Sequence, residues 1–158
     1  MTKDQISEFT LKISSSNSTG IISVLYDIYF AYDQDAREAL EAKDFDEFLH
    51  SIGKCSEVIT HLQNDLDFKY DISKQLYPLY AFCQKSLGKS TYQATTTGLD
   101  ESAIIMGKLR EAFAEIAKND KSNAVMTNAQ HVVAGMTYGR AGLNESMNEG
   151  VRPRGFFA

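Results

Sequence analysis

The chain has 158 residues, of which 43% are hydrophobic and 23% are charged, enough for one domain with its own core. Its net charge of −5 argues against nucleic acid or an anionic membrane as the main partner. The N-terminal stretch MTKDQISEFTLK is polar, and no apolar run approaches the ~18 residues of a membrane span. The two cysteines, Cys55 and Cys83, fall in apolar stripes and are expected to be buried thiols. These features favour a cytoplasmic protein.

The N-terminal residues 1–16 are expected to form a mobile segment, because the serine run at its end favours a turn. Asn17 or Ser18 then suits the N-cap of a first long helix. Apolar residues recur through this helix with helical spacing. Its main stripe is Ile21, Leu25, Ile28, Tyr32, Ala36, Ala39 and Leu40.

A second helix is predicted over residues 44–65. Asp44, with Glu47 three residues later, resembles a capping box. The apolar residues that follow alternate three and four apart, which is typical of a helix in a bundle. They are Phe45, Phe48, Ile52, Cys55, Ile59, Leu62 and Leu66.

A short polar turn separates this helix from a third, predicted over residues 72–92. Asp71 suits its N-cap, and Pro78 predicts either a kink or a later start. Because the turn is so short, the second and third helices should fold back on each other. The main stripe of the third helix is predicted as Ile72, Leu76, Leu79 and Cys83.

The fourth helix is predicted to start at Thr97, because Thr97 and Asp100 have capping-box spacing. Its apolar pattern ends near residues 118–120. Four helices of similar length joined by short loops are typical of one architecture. The sequence therefore predicts an all-α fold, an antiparallel up-down-up-down four-helix bundle over residues 17–120.

The C-terminal extension, residues 121–158, differs in composition from the bundle. It holds five of the ten glycines and has four basic against two acidic residues. This Gly-rich tail is predicted to be partly disordered or to pack on the bundle. Because it also contains apolar residues, one hypothesis is an intramolecular contact in which part of residues 132–147 occupies a groove of the bundle.

No pattern predicts catalytic or metal chemistry. A ferritin-type bundle needs two Glu-x-x-His pairs and two further glutamates that face inward. Glu47 and His50 have this spacing but lie beside the predicted seam, whereas Glu57 and His61 are four apart. No phosphate-binding loop or nucleophile–histidine pair is evident. We therefore predict no enzyme activity, no metal and no cofactor, with a ferritin-type bundle as an alternative.

Two of the predicted helices carry a second apolar stripe that one bundle seam does not use. Its residues are Ile22, Tyr26, Tyr29, Tyr77, Tyr80 and Leu87. One interpretation is ordinary packing in a wide core. The other is a groove for an amphipathic helix from a partner, for which tyrosine is suited because it offers contact area and tolerates water.

Several short motifs occur in a distinctive order along residues 6–118. They are Asn17-Ser18, Leu25-Tyr26-Asp27, Leu66-Asp67, Asp71-Ile72-Ser73, Leu76-Tyr77 and Leu79-Tyr80. In the order and spacing of these motifs, the chain resembles the flagellar secretion chaperone family FliS.

The resemblance implies a cytoplasmic, non-enzymatic chaperone. Such a protein binds the C-terminal segment of flagellin in apolar grooves of its bundle and prevents premature polymerisation. The resemblance also implies that the N-terminal segment, here Ile6 and Phe9, covers part of the groove until the client displaces it. A helical adaptor for another exported client is the alternative that the residues leave open.

Overall fold

A computed structural model describes residues 1–126, which form five α-helices and, within that range, no β-strand. The helices are α1 (Lys3–Ser15), α2 (Ser18–Glu41), α3 (Phe45–Asn64), α4 (Asp71–Gln93) and α5 (Thr97–Asn119). The predicted all-α class is confirmed, and the four predicted helices correspond to α2–α5. The predictions for the C-terminal extension from residue 127 onward lie outside the described residues.

The additional helix is α1, which forms where the sequence predicted a mobile segment. Its start is fixed by a capping box, in which the Gln5 N–H donates to Thr2 Oγ1 at 3.2 Å and the Thr2 N–H donates to Gln5 Oε1 at 2.8 Å. At its other end, the Ser14 and Ser15 hydroxyls donate to the Leu11 carbonyl at 2.9 Å. These serines therefore end a helix instead of making the region irregular.

The four long helices form a closed ring of contacts. Helix α2 packs against α3 and α5, and α4 packs against α3 and α5, so every long helix has two long neighbours. The core that they enclose includes three tyrosines, both cysteines and several aliphatic side chains. Its fully buried large members are Tyr26, Tyr29, Phe48, Cys55, Ile59, Tyr80, Cys83, Leu87, Leu99 and Met106.

Helix α1 packs on the outside of this ring, against α2. The amino group of Met1 forms an ion pair with Asp35, so α1 folds back along α2. Val24, Ile28 and Asp35 lie on one stripe of α2, and Val24 is buried although it is not part of the main core. We infer that α1 covers this outer stripe of α2.

Helix α4 begins at Asp71, before Pro78, so the later start considered from the sequence does not occur. Asp71 is the first helical residue and Tyr70 occupies the N-cap, without a side-chain hydrogen bond. Its last residue is followed by Ala94, which has a left-handed backbone conformation with φ 50°. This short connection leads directly into α5.

The start of α5 is held tightly against α4. The backbone N–H of Leu99, which the helix itself cannot satisfy, donates to Ser90 Oγ at 3.1 Å. Gly98 lies against the backbone carbonyl of Ser86, so closely that a side chain on Gly98 would overlap this oxygen. The small residues Ser86, Ser90 and Gly98 thus let the two helix backbones approach each other.

Candidate partner-binding surface

The six residues predicted to line a groove fall into two groups in the structure. Tyr26 and Tyr29 are completely buried, and Tyr80 and Leu87 are only 1% exposed. These four residues therefore pack in the core, because a partner cannot touch them without opening the fold. Ile22 is half-buried and packs against the core, and Tyr77 is 48% exposed. Residues Tyr26, Tyr29, Tyr80 and Leu87 thus form no open groove.

The buried tyrosines are satisfied by hydrogen bonds inside the core. The hydroxyl oxygens of Tyr26 and Tyr80 lie 2.6 Å apart, and the Tyr29 hydroxyl donates to Ser102 Oγ at 2.7 Å. The Tyr26 ring also packs against Phe113, with a centroid distance of 5.6 Å. Tyr26 therefore links α4 and α5 to α2 through one side chain. Their burial and pairing give these tyrosines a structural role.

We expect the free energy of unfolding to fall steeply in alkaline solution. Burial raises the pKa of Tyr26, Tyr29 and Tyr80 in the folded protein, whereas an unfolded tyrosine has a pKa of about 10. The folded state then binds the hydroxyl protons more tightly than the unfolded state does. The stabilisation from these protons is complete below pH ~10 and is lost as the pH rises above it. Each buried tyrosine should contribute about 1.4 kcal/mol per pH unit in that range.

Urea unfolding between pH 8 and 11 measures this effect, with the Tyr26→Phe/Tyr80→Phe double variant as comparison. The variant keeps the ring packing and removes both partners of one hydrogen bond, so it should fold and show a shallower pH dependence. An equal slope in both proteins would show that these hydroxyls do not titrate on unfolding.

Ile6 and Phe9, which were predicted to cover part of the groove, are on helix α1. Ile6 is exposed, Phe9 is half-buried, and their helix α1 contacts α2 and no other helix among the described residues. Tyr77, the most exposed of the predicted groove residues, is on α4. Helix α1 therefore lies on α2, the helix that also carries Ile22, and does not contact α4 in the described residues. That Ile6 and Phe9 cover part of the client-binding surface stays a prediction.

The accessible apolar surface lies along α4. Ile72, Leu79 and Phe82 are 57%, 38% and 46% exposed, and their spacing of seven and three residues places them on one side of the helix. The next residue on this side is Ser86, whose hydroxyl donates to Glu101 of α5 at 2.9 Å. The stripe therefore faces the α5 side of α4.

Helix α5 contributes apolar residues next to this stripe. Ile105 and Ile116 follow Glu101 at helical spacing; Ile105 is half-buried and Ile116 is 53% exposed. We call the surface formed by Ile72, Leu79, Phe82, Ile105 and Ile116 the α4–α5 edge. Sequence reasoning missed this surface because it placed Ile72 and Leu79 in the core.

The α4–α5 edge ends in a cavity of about 470 Å³. Its lining residues are Phe82, Lys85, Ser86, Lys89 and Glu101. Lys89 Nζ lies 3.0 Å from Glu101 Oε1, while no carboxylate within residues 1–126 pairs with Lys85. We call this the lysine cavity. Its Phe82 ring and its two lysines four residues apart, of which only Lys89 has a carboxylate partner among the described residues, suit an amphipathic segment that carries carboxylates.

A second exposed aromatic pair lies near the turn between α3 and α4. The rings of Phe68 and Tyr77 meet edge to face with their centroids 5.7 Å apart. Both side chains are about half exposed, at 52% and 48%. Tyr77 is therefore accessible to a partner on the other side of α4 from Phe82.

The described residues contain no arrangement suited to metal binding. Within residues 1–126, no three His, Cys, Asp or Glu side chains come close enough to share an ion. Glu47 and His50 are both exposed on α3, and Glu47 accepts a hydrogen bond from Ser51 at 3.2 Å. None of α1–α5 is long and apolar enough to span a membrane.

The fold and the α4–α5 edge define a helical protein whose accessible apolar residues are suited to binding another polypeptide. Residues 4–120 match the family model of the flagellar protein FliS. Because this match covers well over half of the 158 residues, the chain belongs to the FliS family, a family of flagellar export chaperones. The comparison with curated proteins gave no match.

Proposed function

We propose that this protein is a cytoplasmic, non-enzymatic export chaperone that binds the C-terminal segment of flagellin and prevents its premature polymerisation. Family membership carries the proposal, because the match extends over all of α2–α5. The accessible apolar side chains of α4 support it, since a disordered segment that folds on binding needs apolar surface to offset its loss of entropy. No cofactor enters this function.

The proposal includes the architecture that presents the surface. Helices α2–α5 act as an antiparallel up-down-up-down bundle, with α1 as an N-terminal addition. The pairs between α4 and α5 support this arrangement, because Leu99 bonds to Ser90 whereas Ser102 bonds to Cys83. Moving forward along α5 therefore means moving backward along α4, as in an antiparallel pair of helices.

Within this function, the α4–α5 edge and Tyr77 make the direct contacts with flagellin. A helix lying on the edge would place its apolar face on Leu79 and Phe82 and its polar face toward the lysine rim. Tyr26, Tyr29, Tyr80 and Leu87 contribute from below, by fixing the positions of the helices that carry the surface. Ile22 lies at the margin of the core and contributes in the same way.

Calorimetric titration with a ~40-residue peptide from the C-terminus of the cognate flagellin tests this function; coupled folding predicts a negative heat-capacity change and a gain of helix signal. Ile72→Ser/Phe82→Ser should weaken binding by about tenfold or more, because each serine removes apolar contact area at the interface. Both side chains are about half exposed, so thermal stability should change little.

The matched control is Leu49→Ser, because Leu49 is 46% exposed, as Phe82 is, but lies on α3, which has no contact with α5 among the described residues. It should bind the peptide with unchanged affinity. Equal affinity of all three proteins would place the flagellin site away from the α4–α5 edge. No binding by any of them would favour a helical adaptor for a different exported client.

A further inference from the structure

The described chain leaves the bundle at a fixed point. After α5, the Val125 N–H donates to the Ser16 carbonyl at 3.0 Å. The Asn17 side-chain amide donates to the Asp120 and Ser122 carbonyls, both at 3.3 Å. Residues 120–125 are therefore tied to the connection between α1 and α2. The remaining 32 residues, 127–158, start from this tether.

The tether lies at the same end of the molecule as one end of the α4–α5 edge. Ile116 is in the last turn of α5 and is 53% exposed, and the residues that follow it include Val125 and Met126, 57% and 47% exposed. The lysine cavity lies toward the start of α5, next to Glu101. An apolar path thus leads from the tether toward a basic rim.

The segment beyond the tether has complementary chemistry. Its two acidic residues are Glu145 and Glu149, four residues apart, and Leu143 and Met147 alternate with them. Lys85 and Lys89 have the same spacing on α4, beside Phe82. Both the apolar and the charged residues of positions 143–149 therefore find counterparts around one cavity.

The distance is within reach of the chain. The 18 residues from Asn119 back to Glu101 of α5 span about 27 Å at 1.5 Å per helical residue. The 19 residues from Met126 to Glu145 can extend to about 60 Å. Residues 143–149 can thus arrive at the lysine cavity without stretching the connection.

We propose that residues 143–149 dock in cis at the lysine end of the α4–α5 edge. Leu143 and Met147 contact Phe82, while Glu145 and Glu149 pair with Lys85, which has no carboxylate partner in residues 1–126, and with Lys89, which they share with Glu101. Because the segment is tethered, its local concentration reaches the millimolar range, so weak contacts suffice for occupancy. The docked segment competes with an incoming client, a consequence that rests on the proposed function.

The test uses the full chain and no client. The protein contains no tryptophan, so Leu143→Trp introduces a single fluorescent reporter at the proposed contact. Phe157→Trp, at the end of the chain, is the matched control. The indole at position 143 should emit at shorter wavelength and be quenched less by acrylamide than the indole at position 157.

Charge reversal then identifies the docking site. Lys85→Glu/Lys89→Glu should change the emission and quenching of the indole at position 143 to the values of the position-157 control. Adding Glu145→Lys/Glu149→Lys to the same protein should restore the original emission and quenching. Both lysines are exposed, so circular dichroism should show the helices unchanged. Equal emission and quenching at positions 143 and 157, or a position-143 signal that ignores the lysine reversal, would overturn the proposal. Because flagellin is absent, neither result depends on the proposed function.

Discussion

Gly98→Ala is expected to lower the free energy of unfolding by about 3 kcal/mol, the upper range for overpacking a tight site. The added methyl group would overlap the backbone carbonyl of Ser86 and meet Ser90 Oγ at 2.8 Å. A backbone oxygen inside a helix cannot turn aside as a side chain can. The start of α5 would have to move away from α4, which would also strain the bond from the Leu99 N–H to Ser90 Oγ.

Gly88→Ala is the matched control for this substitution. Gly88 is on α4, close in sequence to Ser86, and a methyl group placed there has no neighbour within 4 Å. Because alanine favours helix over glycine by about 1 kcal/mol, this variant should be slightly more stable than the parent protein. Urea unfolding of both variants, followed by circular dichroism, measures the contrast. A Gly98→Ala protein as stable as Gly88→Ala would show that α4 and α5 do not approach as closely as described.

The positions of the helices along the chain were predicted more accurately than the faces that they bury. The predicted starts at residues 44, 72 and 97 lie within one residue of those of α3, α4 and α5, because breaks in the apolar pattern mark helix ends locally. Of the predicted caps only Asp44 accepts a bond from its helix, from the Glu47 N–H at 3.1 Å; Asp71 and Thr97 are the first helical residues, and neither N-cap before them makes a side-chain bond.

Which face a helix buries depends on its neighbours in the fold, and therefore less on local sequence. In α4, the sequence placed Ile72 and Leu79 on the main core stripe and Tyr80 and Leu87 on a second stripe that could be core or groove. In the structure Tyr80 and Leu87 are buried, whereas Ile72 and Leu79 are exposed.

Small polar residues caused this error. The buried positions of α4 are Ser73, Leu76, Tyr80, Cys83, Leu87 and Ser90, with Ser86 beside them. They alternate three and four apart, as a bundle seam should, but the pattern is visible only if serine is accepted as a core residue. Ser86 and Ser90 are buried because α5 approaches at Gly98 and Leu99, a tertiary contact that hydrophobicity along α4 does not encode.

The same effect applies to the candidate site. A residue is a binding residue only if the rest of the fold leaves it accessible, and periodicity alone gave no way to choose between two neighbouring stripes of α4. Tyr77, which the sequence placed on the second stripe, is accessible, and so is Phe82, which belongs to neither predicted stripe. Whether either residue contacts flagellin stays a prediction.

Tyr26→Ala is expected to lower the free energy of unfolding by about 3–5 kcal/mol, the typical cost of deleting a fully buried aromatic side chain. The substitution removes the contact with the Phe113 ring and leaves the Tyr80 hydroxyl without its partner 2.6 Å away. Tyr77→Ala should cost less than about 1 kcal/mol, because Tyr77 is half exposed and its aromatic neighbour Phe68 is exposed as well.

These two tyrosines therefore separate folding from binding. Thermal or urea unfolding should distinguish the variants by stability, and titration with the flagellin peptide should be done well below the melting temperature of the weaker one. Tyr77→Ala should weaken binding while the protein stays folded. Loss of binding in Tyr26→Ala would follow from loss of the folded state, and it should recover in proportion to the fraction folded as the temperature is lowered. A Tyr26→Ala protein of parental stability that binds poorly would instead show that Tyr26 becomes accessible to the client, as a groove residue would.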